Sequence, residues 1–377
     1  MKGGLIAINK PSGKSSAQCL NEIKAIISKS ELAKFFQSDP PHPNDKNSKR
    51  KKWKRNDIKI GHGGTLDPLA SGVLVVGLGI GTKQLPTLLS CVKTYKATCL
   101  FGCSTNTYDS SGKIIRVATK IPSKEEVADG LAAFRGDILQ LPPLYSALHI
   151  QGKRLYEYAR EGLPLPEAVK PRPMKCDHLE LVEFHEKGQH SYNDPDVFAS
   201  KEEIESEELL RPVSDFEKKE AVNNSEIAKE NDSPQESKDD FQQKSSVEDA
   251  PAVKSASDES VPKTEEKDDQ TSKNEPKGKK RKLEVTDLER GSRPPIGPSA
   301  VLDMSVSSGF YVRSVIHDLA HHIGSEAHMV DLIRTQQGDF VLDGDACFEF
   351  EEFQSAGWEQ KLASLLKLDL DIENKEN

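Results

Sequence analysis

The sequence predicts an α+β fold: a mixed α/β core whose central sheet is mostly antiparallel and flanked by helices. Three observations predict it. Short segments rich in β-forming residues are separated by Gly, Asn, Asp and Ser, the pattern of strands joined by turns. Stretches with apolar residues at helical spacing lie between them. Two alternating segments, 179–184 and 300–306, flank a long acidic stretch and read as the arms of one hairpin. Lengthening a surface loop costs only about 0.6 kcal/mol per doubling, so the inserted stretch does not have to divide the core.

In chain order, residues 4–8 form a continuous apolar run that reads as a buried strand, ended by the turn Lys10-Pro11-Ser12-Gly13. Ser15 followed by Gln18 fits a capping box, and Leu20, Ile23 and Ile27 give the helix behind it one apolar face. The apolar pattern then stops, and residues 38–59 form an insertion whose basic cluster runs from Lys46 to Arg55. Segments 72–76, 96–101 and 114–117 read as strands. Residues 123–135 read as an amphipathic helix with Val127, Leu131 and Phe134 on its inner face, and 155–160 as a second that ends at Gly162. A helix over 311–323 places Val312, Val315, Ile316, Leu319 and Ile323 together, and the chain beyond Arg334 returns to an extended form.

The formal net charge of -9 argues at first sight against a nucleic-acid partner. Its distribution reverses that reading. Residues 191–294 are rich in Asp, Glu, Lys and Ser and poor in apolar residues, the composition of an acidic disordered insertion, and 351–377 read as an acidic tail. The remaining core, 1–190 and 295–350, is net basic and suits a surface that meets phosphates. The six cysteines, at 19, 91, 99, 103, 176 and 347, fall at no metal-type spacing and suggest a reducing compartment. No run approaches the ~20 apolar residues that cross a bilayer, and the first residues lack a secretory signal. The expectation is a soluble intracellular protein.

The densest signal is Gly61-His62-Gly63-Gly64-Thr65-Leu66-Asp67-Pro68-Leu69-Ala70-Ser71-Gly72. In isolation Asp67 before Pro68 is explained by a helix N-cap followed by a first-turn proline. The glycines on the N-terminal side allow left-handed backbone and close approach of another chain, so the loop can present a carboxylate to a ligand. The whole string resembles the catalytic motif of the TruB family of pseudouridine synthases. Further blocks match that family in order: Lys10-Pro11 with Gly13, Thr94-Tyr95-Lys96, Leu141 to Ala147, Gly152 to Gly162, Arg172-Pro173, Ser308 to Ser314, and Met329 to Arg334. The basic and acidic insertions make the chain most similar to the fungal members that modify uridine 55 of tRNA.

The resemblance implies a pseudouridine synthase fold and an isomerase that flips one uridine out of the T arm of tRNA, cleaves its glycosidic bond and joins C5 to the ribose. By the same resemblance Asp67 is the catalytic carboxylate, and it must be ionised to act at the sugar. Arg313 is its partner, since a neighbouring guanidinium favours the charged form. Tyr95 packs on the flipped base and assists a late proton removal, Leu332 holds the other face, Tyr311 lies nearby, and His62 contacts the RNA beside the extruded nucleotide. Whether Asp67 adds to the sugar, adds to the base or assists elimination stays open, as does modification of messenger RNA. No cofactor or metal is implied, because the reaction has no net redox change and transfers no outside group. The expected state is a monomer with tRNA as partner and no membrane association.

Other motifs read differently. Gly77-Leu78-Gly79-Ile80-Gly81-Thr82-Lys83 lacks the order of a P-loop and fits a glycine-rich turn. His317 and His321, four apart on a helix, resemble a zinc pair, but Asp318 replaces the general-base glutamate and both rings fall opposite the apolar face, toward solvent. The cluster Lys277 to Lys282 reads as a nuclear import signal, with an RNA contact or a solvated loop as the alternatives; import makes nucleus the expected location, with cytoplasm and mitochondrion open. The rival functional class is a non-catalytic tRNA-binding or tRNA-folding protein on the same scaffold. Retention of Asp67, Tyr95 and Arg313 together favours turnover, because binding alone requires no such charge pair.

Overall fold

The computed structural model describes residues 2–37, 58–205 and 296–369, all of which belong to one unit formed by Met1–Asn223 and Arg293–Asn377. Most of the basic insertion, the acidic stretch from 206 onward, the Lys277 to Lys282 cluster and the last residues lie outside the described residues.

The elements that position the site are strands β1 (Leu5–Lys10), β2 (Ile60–His62), β3 (Ser71–Leu78), β4 (Lys93–Phe101), β5 (Cys103–Thr105), β6 (Ile114–Val117), β7 (Gly136–Gln140), β8 (Arg172–His185), β9 (Ser299–Val306), β10 (Ala327–Gln337), β11 (Phe340–Val341) and β12 (Cys347–Glu349). The helices are α1 (Ser16–Ile27), α2 (Lys124–Gly130), α3 (Leu155–Glu161), α4 (Val312–His322) and α5 (Trp358–Leu365). The main sheet runs β12-β1-β3-β10-β4-β9-β8-β7, with β2 paired to β3 and β11 to β10.

This sheet is mixed: most of its neighbouring strands pair antiparallel, as expected, and two pairs do not. β1 runs parallel to β12, and β3 runs parallel to β10. After α4 the chain inserts β10 between β3 and β4 and then adds β12 at the edge beside β1. The arms predicted around the acidic stretch do pair antiparallel, with Leu179 opposite Met304 and Phe184 opposite Ala300.

Continuous apolar runs become strands covered on both faces. Ile6, Ala7 and Ile8 of β1 and Val73 to Val76 of β3 are wholly buried, as strands in the middle of a two-sided layer must be. α1 begins with the predicted capping box: the Ser15 hydroxyl accepts from the Gln18 amide, and Gln18 Oε1 accepts from the Ser15 amide. Its Cys19, Ile23 and Ile27 sink into the core. α4 lays Val312, Val315, Ile316 and Leu319 on the same core.

Two segments assigned from composition to polar insertions are part of the fold. Within 191–205, the Ile114 amide donates to Val197 O and the Ala199 amide donates to Ile114 O, each at 2.8 Å, and Asp194 is buried. Main-chain pairing with β6 is indifferent to the acidic side chains, so composition does not reveal it. In the supposed tail, Phe353, Leu362 and Ala363 are buried, and Phe353 packs on Phe348 and Trp358 at ring separations of 5.1 and 5.6 Å. At the base of the basic insertion, Ile58 is buried and bridges Gln37. Among the described residues no helix is long and apolar enough to cross a membrane.

Candidate active site

The loop between β2 and β3 carries Asp67, and no helix follows Pro68, so the N-cap explanation of Asp67 fails. The loop is held from several sides. Ser16, the first residue of α1, accepts from the Leu66 amide at 3.0 Å and donates to Leu66 O at 3.1 Å. The turn after β1 lies beneath: the Gly13 amide donates to Pro68 O at 2.8 Å and Ser12 Oγ donates to Leu69 O at 2.6 Å. Lys10 is wholly buried there and donates to Pro11 O at 2.8 Å. Burial pushes its ammonium pKa down, against the attraction of Cys19 and Asp67.

From β10, Arg334 and Gln337 grip the glycine-rich part. Arg334 is 1% exposed and donates from Nε to Val73 O at 2.6 Å and from Nη2 to Gly64 O at 3.2 Å, while Gln337 Nε2 donates to Gly63 O at 2.6 Å. Of the three glycines on the N-terminal side, Gly64 alone has positive φ, at 149°. Gly61 and Gly63 are small because the Leu85 and Leu88 side chains lie where a Cβ would sit. The closest approach is farther on, at Gly72, where an added Cβ would stand 2.3 Å from Arg334 O.

Asp67 Oδ2 meets Arg313 Nε at 2.9 Å. The arginine side chain is 6% exposed and the aspartate side chain 39%, so a buried cation presents a partly open carboxylate. The rest of the guanidinium is engaged: Nη1 donates to Thr107 O at 2.7 Å, Nη2 donates to Tyr145 O at 3.2 Å, and Nη1 lies 3.6 Å from Asp109 Oδ2. Asp109 is itself fixed, accepting from Thr107 Oγ1 at 2.7 Å and from the Ser111 amide at 3.0 Å. Such a forked, multiply bonded cation sets the carboxylate's position as well as its charge.

These groups line a cleft of about 750 Å³ that also takes in Tyr95, Tyr311 and Leu332. Tyr95 on β4 is half-buried, and Leu332 on β10 is 5% exposed. Tyr311 is placed through its main chain: its amide donates to Gln140 Oε1 at 2.7 Å and its carbonyl accepts from Gln140 Nε2 at 2.9 Å. At the mouth, the guanidinium groups of Arg154 and Arg160 lie 5.7 and 5.0 Å from the Tyr156 ring. The cleft thus combines an acid at its floor, an aromatic and an aliphatic wall, and cations at its rim.

The structure brings Asp67, Arg313, Tyr95, Tyr311 and Leu332 to one cleft and leaves His62 outside its lining. His62 Nδ1 accepts from the Gly64 amide at 3.4 Å, and burial followed by the Arg334 charge lowers its pKa. Residues that sequence reading did not single out are Asp109, Gln140 and Arg334. Asp109 lies in a Thr-Asn-Thr-Tyr-Asp-Ser-Ser-Gly run that reads only as a turn, and Arg334 sits in a matched block without a role. His317 contradicts its solvent assignment: it is 3% exposed and stacks on Tyr108 at 3.9 Å. His321 Nε2 lies 3.2 Å from Glu326. Among the described residues, the groups close enough to share a metal ion include none that lines the cleft.

Comparison with known proteins places the chain in a family. Residues 50–201 match the family model described as TruB family pseudouridylate synthase, N terminal domain. The chain is 64% identical over 373 residues to tRNA pseudouridine synthase 4 of Schizosaccharomyces pombe, covering 98% of this chain and 87% of the relative. It is 34% identical over 361 residues to tRNA pseudouridine synthase 4 of Saccharomyces cerevisiae, covering 93% and 80%. With human pseudouridylate synthase TRUB1 it shares 40% identity over 183 residues, 48% of each chain. The chain belongs to the TruB family of pseudouridylate synthases.

Proposed function

We propose that this pseudouridine synthase acts on tRNA, isomerising uridine 55 of the T arm, with Asp67 as the catalytic carboxylate. The observation that carries the residue assignment is the Asp67–Arg313 pair at 2.9 Å, open on the carboxylate side to a cleft walled by Tyr95 and Leu332. The relatives named as tRNA pseudouridine synthases support the substrate.

The isomerisation breaks the bond from ribose C1′ to N1 and makes one from C1′ to C5; C5 loses a proton and N1 gains one. A uridine inside a stack offers none of these atoms to a side chain, so it is extruded first. Tyr95 and Leu332 hold the ring on its two faces while it turns, and the cations Arg154 and Arg160 meet backbone phosphate at the mouth. Asp67 supplies negative charge at the sugar, and Arg313 keeps that charge in place without neutralising it by proton transfer, since a guanidinium does not deprotonate in proteins. Tyr95 takes part in the late proton removal at C5. His62, outside the cleft lining, touches the RNA next to the extruded nucleotide. The fold is that of the pseudouridine synthases.

The test is incubation of purified full-length chain with an unmodified tRNA transcript, followed by carbodiimide mapping. A single modified position at uridine 55, abolished when that uridine is replaced by cytidine, is the expected result. Tight binding with no product from the wild-type protein would favour a binding protein on the same scaffold, and product elsewhere would overturn the site assignment.

A further inference from the structure

We propose that Tyr108 and His317 are positioning residues for the reaction: their stacked rings hold the turn that fixes Arg313 and, through Arg313, the carboxylate of Asp67. The inference rests on the reading of Asp67 as the catalytic group. Neither ring lines the cleft, so the pair acts through the fork and not on the substrate.

The turn is marked by its backbone. Tyr108 has a φ of 62°, in the left-handed region that a bulky side chain seldom adopts. Such a conformation persists only where the surroundings over-determine it. On one side the main chain is tied to β10: the Met329 amide donates to Tyr108 O at 3.0 Å, and the Ser110 amide donates to Met329 O at 2.8 Å. On the other side α4 supplies Arg313 and His317, one helical turn apart and so on the same face. Arg313 Nη1 donates to Thr107 O at 2.7 Å and stands 3.6 Å from Asp109 Oδ2. His317 stacks on the residue between them, with 3.9 Å between ring centroids and 17° between planes. One face of one helix therefore meets three consecutive residues of the turn.

The stack governs where Thr107 O and Asp109 stand. Both rings are buried, and two flat faces in near-parallel contact make a surface that an amide or aliphatic side chain does not match. His317 is backed in turn by the His321 ring at 4.6 Å, whose Nε2 lies 3.2 Å from Glu326. Without a ring at 317, the turn loses the contact that keeps residue 108 left-handed, and Thr107 O and Asp109 shift relative to the guanidinium. Asp67, 2.9 Å from Arg313 Nε, moves with its partner. The stack thus bears on the rate of the chemical step and leaves RNA affinity alone.

The test is single-turnover pseudouridine formation by the full-length chain on an unmodified tRNA transcript, with RNA affinity and thermal midpoint measured on the same preparations. His317→Gln keeps hydrogen-bonding groups without the ring, and His317→Phe keeps a flat ring without the imidazole nitrogens. His317→Gln should slow the reaction by about 10-fold with affinity within about threefold of wild type, and His317→Phe should restore most of the rate. Placed on Asp109→Asn, where the turn has already lost its charged contact with Arg313, His317→Gln should cost less than about threefold further. A residue that only supports the fold would cost the same factor in both backgrounds. Wild-type rate in His317→Gln, a His317→Phe as slow as His317→Gln, or equal factors in the two backgrounds would overturn the proposal while leaving the reading of Asp67 in place. An active Asp67→Asn would overturn both.

Discussion

Replacing Arg313 separates two jobs that the structure assigns to one side chain. Its contact with Asp109 is buried on both sides, with side-chain exposures of 6% and 7%, whereas its contact with Asp67 is 39% open on the acid's side. Removing one member of a buried ion pair costs about 3–5 kcal/mol because the other charge is left without a partner. Arg313→Met should therefore lower stability by that amount, mainly through stranded Asp109. Arg313→Lys keeps the charge, but a single ammonium cannot serve Asp67, Thr107 O and Tyr145 O together. Loss of two hydrogen bonds from a charged donor, at about 1.5 kcal/mol each, sets the expected stability loss near 3 kcal/mol or below. Misplacing the carboxylate should slow turnover by about 100-fold, equivalent to ~2.7 kcal/mol. Urea denaturation followed by circular dichroism gives the first quantity and single-turnover pseudouridine formation the second. If Arg313→Lys matched wild type within threefold in rate and kept its stability, the reasoning about the fork would be wrong.

Other outcomes follow from the same contacts. Gly72→Ala places a methyl 2.3 Å from Arg334 O at a φ of +96°, a backbone clash that should cost more than ~2 kcal/mol in a urea titration; an unchanged midpoint would refute it. Tyr95→Phe should keep RNA affinity while slowing product formation by about 100-fold, and Tyr95→Ala should weaken both; equal rates for Phe and Tyr would remove the proton role. Burial alone would raise the Glu326 pKa, but the hydrogen bond and charge of His321 outweigh it and bring it from 4.5 to about 2. A carboxylate depressed on folding stabilises the fold fully above pH 4.5 and loses that contribution as pH falls toward 2. Wild type should thus lose stability across that window more steeply than Glu326→Gln, and parallel curves would contradict the pairing.

The fold was legible where local pattern and tertiary environment agree. The capping box at Ser15, the apolar run of β1 and the β8–β9 pair follow from short-range chemistry, and the structure has them. The parallel neighbours of β1 and β3 could not be read, because they depend on where the chain returns after α4. Averaging charge over a window hides the order of residues 191–205 and 351–365: main-chain bonding to Ile114 and three buried positions around Phe353 survive in acidic company. His317 lies opposite the apolar face, as its spacing requires, yet Tyr108, at a φ of 62°, folds over that side and buries it.

Within the candidate site, Asp67 and Arg313 were named from motifs nearly 250 residues apart and meet at 2.9 Å. Asp109 and Arg334 were silent because their roles arise only when distant segments meet. Each holds a group already singled out: Asp109 the far side of Arg313, and Arg334 the carbonyls on either side of the Asp67 loop. His62 is half-buried, with its ring turned to the Gly64 amide.

The most direct test of the account is pseudouridine formed at position 55 by Asp67→Asn under single-turnover conditions, with RNA binding measured on the same preparation. Asparagine keeps the size of the side chain and a hydrogen bond to Arg313 but removes the negative charge. The account predicts retained binding and no detectable product over times in which wild type reaches completion. Product at a rate near that of wild type would show that the charge held at 2.9 Å from Arg313 does not drive the reaction.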